Sequence, residues 1–451
     1  MIKINTREII LEILLQIEKE ETYSHIAIGN ALDKYQYLPK QDRAFITRVC
    51  EGTLEYGILL DYVIDQFSTV PTSQMKPVIR QILRSGVYQL MYMDSVPNSA
   101  VCNEAVKLAQ KKGFYSLKGF VNGVLRNVAR KKDSIVYPSE ENPVQYLSVR
   151  YSMPQWIILN WLEEMGMEAT RTMLEAFLEK RSTTVRIQTT GNSVEETIKS
   201  LQDQGVTVEK APYVPEAYYI SDYNYLGALQ AFQEGKIFPQ DVSSMLAAHA
   251  AEPKEGNFVL DLCAAPGGKS LHMADRMNGK GTVEARDISD YKVGLLQENI
   301  KRSGLSNIRA VKMDATCYDP EMEGRADIVL ADVPCSGFGV MGHKNDIKYK
   351  MTPRKQMELI PLQREILKQA ARYVKPGGTL IYSTCTVGWD ENQANLRWFT
   401  ENFPFETESI DPYLCPELQC ETTKRGYIQL IPGIHACDGF FIARLKKVEV
   451  S

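Results

Sequence analysis

The sequence lacks any uninterrupted apolar stretch long enough to span a bilayer, so no membrane-spanning helix is expected. It also lacks a secretory pattern. Its first apolar segment is broken by Arg7, Glu8 and Glu12 and ends in no cleavage-site pattern, so it reads as an amphipathic helix. There is no excess of positive charge: 52 Lys and Arg against 56 Asp and Glu give a net charge of -4. Any nucleic-acid binding must therefore rest on local patches rather than on bulk charge. The 9 cysteines show no paired C-x-x-C spacing, and their odd number disfavours both a disulfide framework and a zinc ribbon. The expectation is a cytoplasmic protein with free thiols and no metal. No heptad or exposed apolar seam argues for more than a monomer.

What is present is ordinary globular material, 44% hydrophobic and 24% charged over 451 residues, enough for two or three domains. Residues 1–132 read as an all-α domain. Ile9, Ile10, Ile13, Leu14 and Ile17 form one apolar stripe, and Leu54, Ile58, Leu59, Tyr62 and Ile64 another. Pro71, Pro77 and Pro97 stand near the breaks. The polar segment RKKDSIVYPSEENP reads as a linker. Residues 144–235 mix helical PQWIILNWLEEMG and SVEETIKSLQDQG with strand-like TTVRIQTT and VTVEKA, as in a small α+β domain.

From about residue 236 to 451 the rhythm changes. FVLDLC, GTVEARD, IRAVKMD, ADIVLAD and GTLIYSTC are short apolar runs ending at polar residues, with helix-length segments between them. This predicts an α/β fold with a doubly wound, mostly parallel, Rossmann-like sheet, whose ligands bind beyond the carboxyl ends of the strands.

The first run leads into LDLCAAPGGKS. A phosphate-binding Walker loop needs a glycine where Cys263 stands, and a dinucleotide fingerprint needs more glycines than Gly267 and Gly268. A tight strand-to-helix turn remains, offering backbone N–H groups to a ligand. Asp261, Asp287, Asp314 and Asp332 each fall at the end of a run. Singly each could be a solvated turn residue. Together, with no phosphate-gripping loop, they fit a ribose- and adenine-bearing cation, S-adenosyl-L-methionine, better than ATP or NAD.

Cys335, in ADVPCSGFG, and Cys385, in YSTCTVG, follow the fourth and fifth runs. The commonest fate of a free cysteine is a small buried hydrophobe, and that reading is adopted for Cys50, Cys102, Cys317, Cys415, Cys420 and Cys437. Cys335 and Cys385 differ because Asp332 stands beside them. Methylation at carbon 5 of a pyrimidine demands this set: a thiolate adding to carbon 6, an acid at N3, and a group assisting release. An ordinary thiol of pKa about 8.5 is only a few per cent thiolate at neutral pH. The residues alone do not say which cysteine attacks.

DLCAAPGGKS, DVPCSG and YSTCTVGWDEN resemble motifs of the RNA (cytosine-5) methyltransferases of the NOL1/NOP2/Sun family. FPQDVSSMLAA and DGFFIARLKK look like further elements of that family. The resemblance implies that Cys385 attacks, that Cys335 assists release, and that Asp332 serves both the base and the cofactor. It further implies that Cys263, Ala264, Ala265, Pro266, Gly267, Gly268, Lys269, Asp287, Asp314 and Asp332 contact S-adenosyl-L-methionine. Val333 stands where the family usually has alanine, and His343 and Lys344 are the basic residues left in a loop where relatives show arginines.

DRAFITRVCEGTLEYGILLDYVI, NEAVKLAQ and FVNGVLRNVAR are similar to NusB, a helical RNA-binding factor. The joined resemblances imply a cytosine of 16S ribosomal RNA as target, with neither DNA nor membrane as partner. The competing expectations are the same chemistry on transfer RNA, or an inactive RNA-binding assembly factor. Lys107, Lys111, Lys112, Lys118, Arg126, Arg130, Lys131 and Lys132 form the expected RNA-facing patch. The neighbouring Phe114, Tyr115 and Phe120 are expected in the core.

Overall fold

Ile9, Ile10, Ile13, Leu14 and Ile17 are all buried along the helix Thr6–Glu20, so the first apolar stripe faces a core. The helices Ser24–Lys34, Lys40–Glu55, Gly57–Phe67, Pro77–Tyr92, Asn98–Lys111 and Lys118–Lys131 close around it. Pro77 opens its helix and Pro97 caps the next, positions where a missing N–H costs nothing. The computed structural model describes residues 5–20, 23–179 and 182–448. Residues 1–4 and 449–451, the ends of the first and third expected domains, lie outside the described residues.

The chain forms two compact units, Met1–Leu178 with Met341–Met351, and Glu179–Val340 with Thr352–Ser451. The first unit thus owns a short segment from between two strands of the second. Asp346 is buried there and accepts from Ser24 N at 3.1 Å and Ser24 Oγ at 2.6 Å. Lys348, 4% exposed, donates to the carbonyl of Glu55 at 2.7 Å, and burial pulls its ammonium down to about 7. The same unit contains Pro143–Arg150 and Gln155–Leu178, the latter broken at Gly166. No helix of the described residues is long and apolar enough to cross a membrane.

The second unit carries two sheets. β1 (Thr183–Ile187), β2 (Thr207–Lys210), β3 (Ala217–Ser221) and β4 (Ile237–Pro239) form an antiparallel sheet of order β2-β3-β1-β4. The larger sheet contains β5 (Phe258–Asp261), β6 (Thr282–Asp287), β7 (Ile308–Lys312), β8 (Ala326–Asp332), β9 (Val374–Thr384), β10 (Phe405–Thr407), β11 (Tyr427–Leu430) and β12 (Phe440–Lys447). Its order is β10-β12-β9-β8-β5-β6-β7, with β11 also paired to β12. β5 to β9 pair in parallel, and β12 runs antiparallel beside β9. The apolar runs read from the sequence are these parallel strands; β5, β6, β8 and β9 are largely buried, as the inner strands of such sheets require, while the edge strand β7 is partly exposed. The chain winds one way from β5 to β7 and the other way from β8 to β9. The switch point therefore lies between β5 and β8, and ligands of such sheets bind beyond the carboxyl ends of the strands there.

The helix Gly268–Arg276 is tied to the smaller sheet by buried polar contacts. Asp275 accepts from Arg186 Nη1 at 2.7 Å, from Thr190 N at 2.7 Å, and from Thr189 N and Oγ1. Arg186 is fully buried and Asp275 nearly so. Glu216 Oε1 accepts from His249 Nε2 at 2.8 Å and His272 Nε2 at 2.5 Å. These are hydrogen-bond lengths, and Arg276 Nη1 lies 3.1 Å and 3.2 Å from the two ring nitrogens of His249. A cation placed among these three side chains would face a guanidinium, so the cluster is a hydrogen-bonded lock. Breaking a buried pair strands a charge, which costs about 3–5 kcal/mol. Asp275→Ala is expected to lower unfolding free energy by that amount, measured by urea denaturation.

Candidate active site

The register of β8 against β9 sets the site. Asp332, the last residue of β8, lies opposite Ser383, and Ser383 Oγ donates to Asp332 Oδ1 at 2.8 Å. Each cysteine follows its strand end within a few residues, and their sulfurs come to 3.3 Å. Cys335 and Cys385 therefore share one place, although fifty positions separate them in the chain. The Cys385 thiol, and after it burial, holds the Cys335 thiol well above its ordinary pKa. Cys335 thus keeps its proton at neutral pH.

Two close backbone approaches shape the loop after Cys335. Gly339 N donates to the carbonyl of Cys385 at 3.0 Å, and Gly439 N donates to Gly339 O at 2.9 Å. A Cβ on Gly339 would collide with the Gly439 carbonyl, so only glycine fits.

Lys269 comes from the first turn of the helix after β5. Its Nζ lies 2.8 Å from Asp332 Oδ2 and 4.9 Å from the ring centre of Phe440. Burial pulls this ammonium down, but Asp332, with smaller contributions from Cys385 and Asp261, outweighs it and leaves the pKa raised. A cation therefore stands near enough to Cys385 for the two charges to interact. The DGFF element supplies Phe440, and Asp438 N donates to Asp241 Oδ1 at 3.1 Å, joining it to the FPQD element.

The glycine turn is built from backbone groups. Ala264 N donates to Arg286 O at 2.7 Å, Ala265 N to Asp287 Oδ2 at 3.1 Å, and Gly267 N to Ala264 O at 2.8 Å. Gly267 has φ 108°, and a Cβ there would press on Leu296. Pro266 O accepts from Asn299 Nδ2 at 2.9 Å, and Gly268 begins the helix that carries Lys269. Burial, then the carboxylates Asp261, Asp332 and Asp287, push the Cys263 thiol far up, so Cys263 remains protonated. Asp287 ends β6 and also accepts from Ile288 N at 2.8 Å, while Ile288 itself is 56% exposed at this rim. Asp314 follows β7 and accepts from Thr316 N at 2.9 Å and Thr316 Oγ1 at 2.7 Å.

The other cysteines divide. Cys50, Cys102 and Cys437 are buried, as expected. Cys317 and Cys420 are exposed, which corrects that reading; Cys420 caps the short helix Glu421–Lys424.

Buried polar residues went unread in the sequence: Ser336, Gln363, Thr386, Glu391 and Asn392. Glu391 and Asn392 belong to the WDEN tail of the second cysteine motif, and that adjacency was the available signal.

Residues 248–446 match the family described as 16S rRNA methyltransferase RsmB/F, residues 4–130 the NusB family, and residues 153–223 a Methyltr_RsmF/B-like, ferredoxin-like domain. The Bacillus subtilis (strain 168) protein named "Probable ribosomal RNA small subunit methyltransferase B" is 36% identical over 99% of this chain and 100% of its own length. Ribosomal RNA small subunit methyltransferase B of Escherichia coli O7:K1 is 30% identical over 91% of this chain and 92% of its own. The crystal structure of PH0851 superposes with a TM-score of 0.83 at 28% identity, covering 99% of this chain and 100% of that one. The molecule is a Rossmann-like methyltransferase preceded by a NusB-like helical region. It belongs to the RsmB/F family of 16S rRNA methyltransferases.

Asp261 is 1% exposed beneath this site, and burial, only partly opposed by the Ser270 hydroxyl, pushes its carboxyl up from 3.8 to about 7. The folded state therefore holds a proton that the unfolded chain releases. That contribution to stability is complete below about pH 4 and is lost as pH rises through about 7. The expected result is that Asp261→Asn flattens this part of the stability profile, read as urea midpoints at pH 5 and pH 8.

Proposed function

We propose that this chain transfers a methyl group from S-adenosyl-L-methionine to carbon 5 of a cytosine in 16S ribosomal RNA, with Cys385 attacking and Cys335 assisting release. The observation that carries the proposal is the 3.3 Å contact between the two sulfurs beside Lys269 and Asp332. A half-buried cysteine pair of merely structural use would have no need of a half-buried ammonium and carboxylate at its edge.

The strand tips fit the cofactor. Asp287 and Asp314 offer carboxylate acceptors for hydroxyl and amino groups, Ile288 offers an apolar face, and the turn at Gly267 lets a ligand approach the backbone. The bound cofactor supplies an electrophilic methyl group on a sulfonium. The chain's residues do the rest. Lys269 stabilises negative charge near the sulfurs. The Cys385 thiolate forms a bond to carbon 6, and the ring's electron pair becomes available at carbon 5. The proton released by the Cys385 thiol passes by way of the Asp332 carboxylate to N3, which favours that addition. After methyl transfer the carbon 5 proton passes to solvent water, and its electron pair re-forms the ring double bond to carbon 6. The carbon–sulfur bond breaks with its pair returning to the Cys385 sulfur, while N3 gives back its proton through Asp332. Cys335, still protonated, donates a hydrogen bond to the departing sulfur.

On the NusB-like region the basic patch is only partly available to RNA. Lys111 pairs with Glu8 at 2.6 Å, Lys112 with Glu8 and Glu12, and Lys107 with Glu104. Lys118, Arg126 and Arg130 are exposed and recur at four-residue steps with Asn122, forming one stripe of the helix Lys118–Lys131. Phe114 and Phe120 pack against the core, but Tyr115 is 62% exposed under Lys118 Nζ, a correction to its expected burial. We infer that this stripe, rather than the 107–112 segment, meets phosphates.

Three experiments test these readings. Cys385→Ala is expected to abolish methyl transfer, whereas Cys335→Ala should accumulate a covalent protein–RNA adduct on denaturing gels. Sequencing 5-methylcytosine in ribosomal and transfer RNA from a deletion strain identifies the substrate, with a lost 16S site expected. Reversing the charges of Lys118, Arg126 and Arg130 should weaken RNA binding and reduce its log–log salt slope by about 1 per lost phosphate contact. Equal effects from the Lys111 and Lys112 reversals would place the contact elsewhere.

A further inference from the structure

The two cysteine loops are gripped by adjacent residues of one buried dipeptide, Glu391-Asn392. Glu391 takes the Cys335 side. Its Oε2 accepts from Ser336 N at 2.9 Å and Gln363 Nε2 at 2.8 Å, and its Oε1 accepts from Ser336 Oγ at 2.5 Å and Gln356 Nε2 at 3.3 Å. Gln363 Nε2 also donates to Pro334 O at 2.9 Å. Both neighbours of Cys335 in the chain are therefore held. Gln356 and Gln363 stand two helical turns apart on Pro353–Tyr373, which brings both to one face.

Asn392 takes the Cys385 side. Its Oδ1 accepts from Thr384 Oγ1 at 2.5 Å, and its Nδ2 donates to Thr386 O at 3.1 Å and to Gln429 Oε1 at 2.7 Å. Both neighbours of Cys385 are held as well. Beside the Gly339 N to Cys385 O bond, a side-chain bond joins the halves, Ser336 Oγ to Thr386 Oγ1 at 2.7 Å. Ser336 has a single hydroxyl proton and gives it to Glu391, so Thr386 must be the donor to Ser336. The spacing of the sulfurs thus rests on a directed chain of buried hydrogen bonds ending on the Glu391 carboxylate. Tyr382 Oη donates to the Glu391 carbonyl and fixes the dipeptide to β9.

A buried carboxylate held by four neutral donors rather than a cation is costly, and packing alone would be served better by an apolar residue. We propose that Glu391 and Asn392 are positioning residues with separate assignments: Glu391 sets Cys335, and Asn392 sets Cys385. The inference rests on the two-thiol reading above and predicts that each residue's variant reproduces the defect of its own cysteine. The negative charge of Glu391 also helps Cys335 keep its proton, in line with a role in release.

The test compares Glu391→Gln and Asn392→Asp with Cys335→Ala and Cys385→Ala in the full chain, using transcribed 16S RNA and S-adenosyl-L-methionine. Three quantities are read: single-turnover rate, KM for RNA, and covalent adduct on a denaturing gel. Both dipeptide variants should lose about 10²-fold in rate, as expected for a small misplacement of reacting groups, with KM changed less than twofold. Glu391→Gln should accumulate adduct like Cys335→Ala, and Asn392→Asp should form none, like Cys385→Ala. Wild-type rates, or one adduct phenotype shared by both variants, would overturn the inference. If a variant fails to fold, Ser336→Ala and Thr384→Val remove the partner hydroxyls instead and must divide in the same way. If Cys385→Ala traps RNA and Cys335→Ala does not, the two cysteine roles are exchanged. The inference then stands only if the dipeptide variants exchange phenotypes with them. If neither cysteine variant traps RNA, the two-thiol reading fails by itself, and undiminished rates in the dipeptide variants overturn the inference separately.

Discussion

Parallel pairing of β8 with β9 is the constraint from which the site follows. Parallel neighbours end at the same edge, so residues just beyond Asp332 and Thr384 meet there. Such a pair needs a long crossover, and here the crossover includes the helix Pro353–Tyr373. That helix covers the sheet with Ile366, Leu367 and Ala370, and it also turns Gln356 and Gln363 toward Glu391. The connection that topology demands therefore supplies half of the apparatus that spaces the sulfurs. A one-residue shift of β8 against β9 would separate Asp332 from Ser383 and turn alternate side chains to the other face.

The charges around the sulfurs form a second constraint. Asp332 pairs with Lys269, while Asp261 beneath them keeps its proton into the neutral range because burial outweighs the Ser270 hydroxyl and the weaker pull of Lys269. Cys335 is pushed the same way, first by the Cys385 thiol and then by burial, and Cys263 by burial and then by neighbouring carboxylates. In so anionic a crevice only a thiol with access to the ammonium gains from ionising. Asymmetry between chemically identical side chains thus comes from placement: the charge of Glu391, bonded to the neighbouring Ser336, acts on Cys335, whereas Cys385 is among the groups that raise Lys269.

The sequence made the parallel strands, the acids at their tips and the two cysteines legible, because buried strands and tight turns leave short, local patterns. The helical stripe through Ile9, Ile13 and Ile17 was equally plain, since its period needs no tertiary information. What was hidden is long-range. Nothing local pairs Gln363 with Glu391, or places 341–351 in the helical unit with Lys348 against the Glu55 carbonyl. The neutralisation of Lys111 by Glu8, 103 positions away, was hidden for the same reason. A basic run in one segment cannot show that an acidic helix elsewhere already answers it.

Motif reading finds reactive groups because chemistry restricts them to few residue types, whereas the groups that hold them only need to be polar and buried. Ser336, Thr386 and Asn392 are individually unremarkable, and each is a common turn or cap residue. Their meaning lies in direction. The Ser336 hydroxyl can donate only once, so the carboxylate of Glu391 dictates the polarity of the bond to Thr386 across the gap between the two loops. Replacing a member strands its own partners first, and the cost of an unpaired buried donor or acceptor falls on the loop that member holds. The distance between the two sulfurs is in this sense a property of the hydrogen-bond chain beneath them, not of the cysteines.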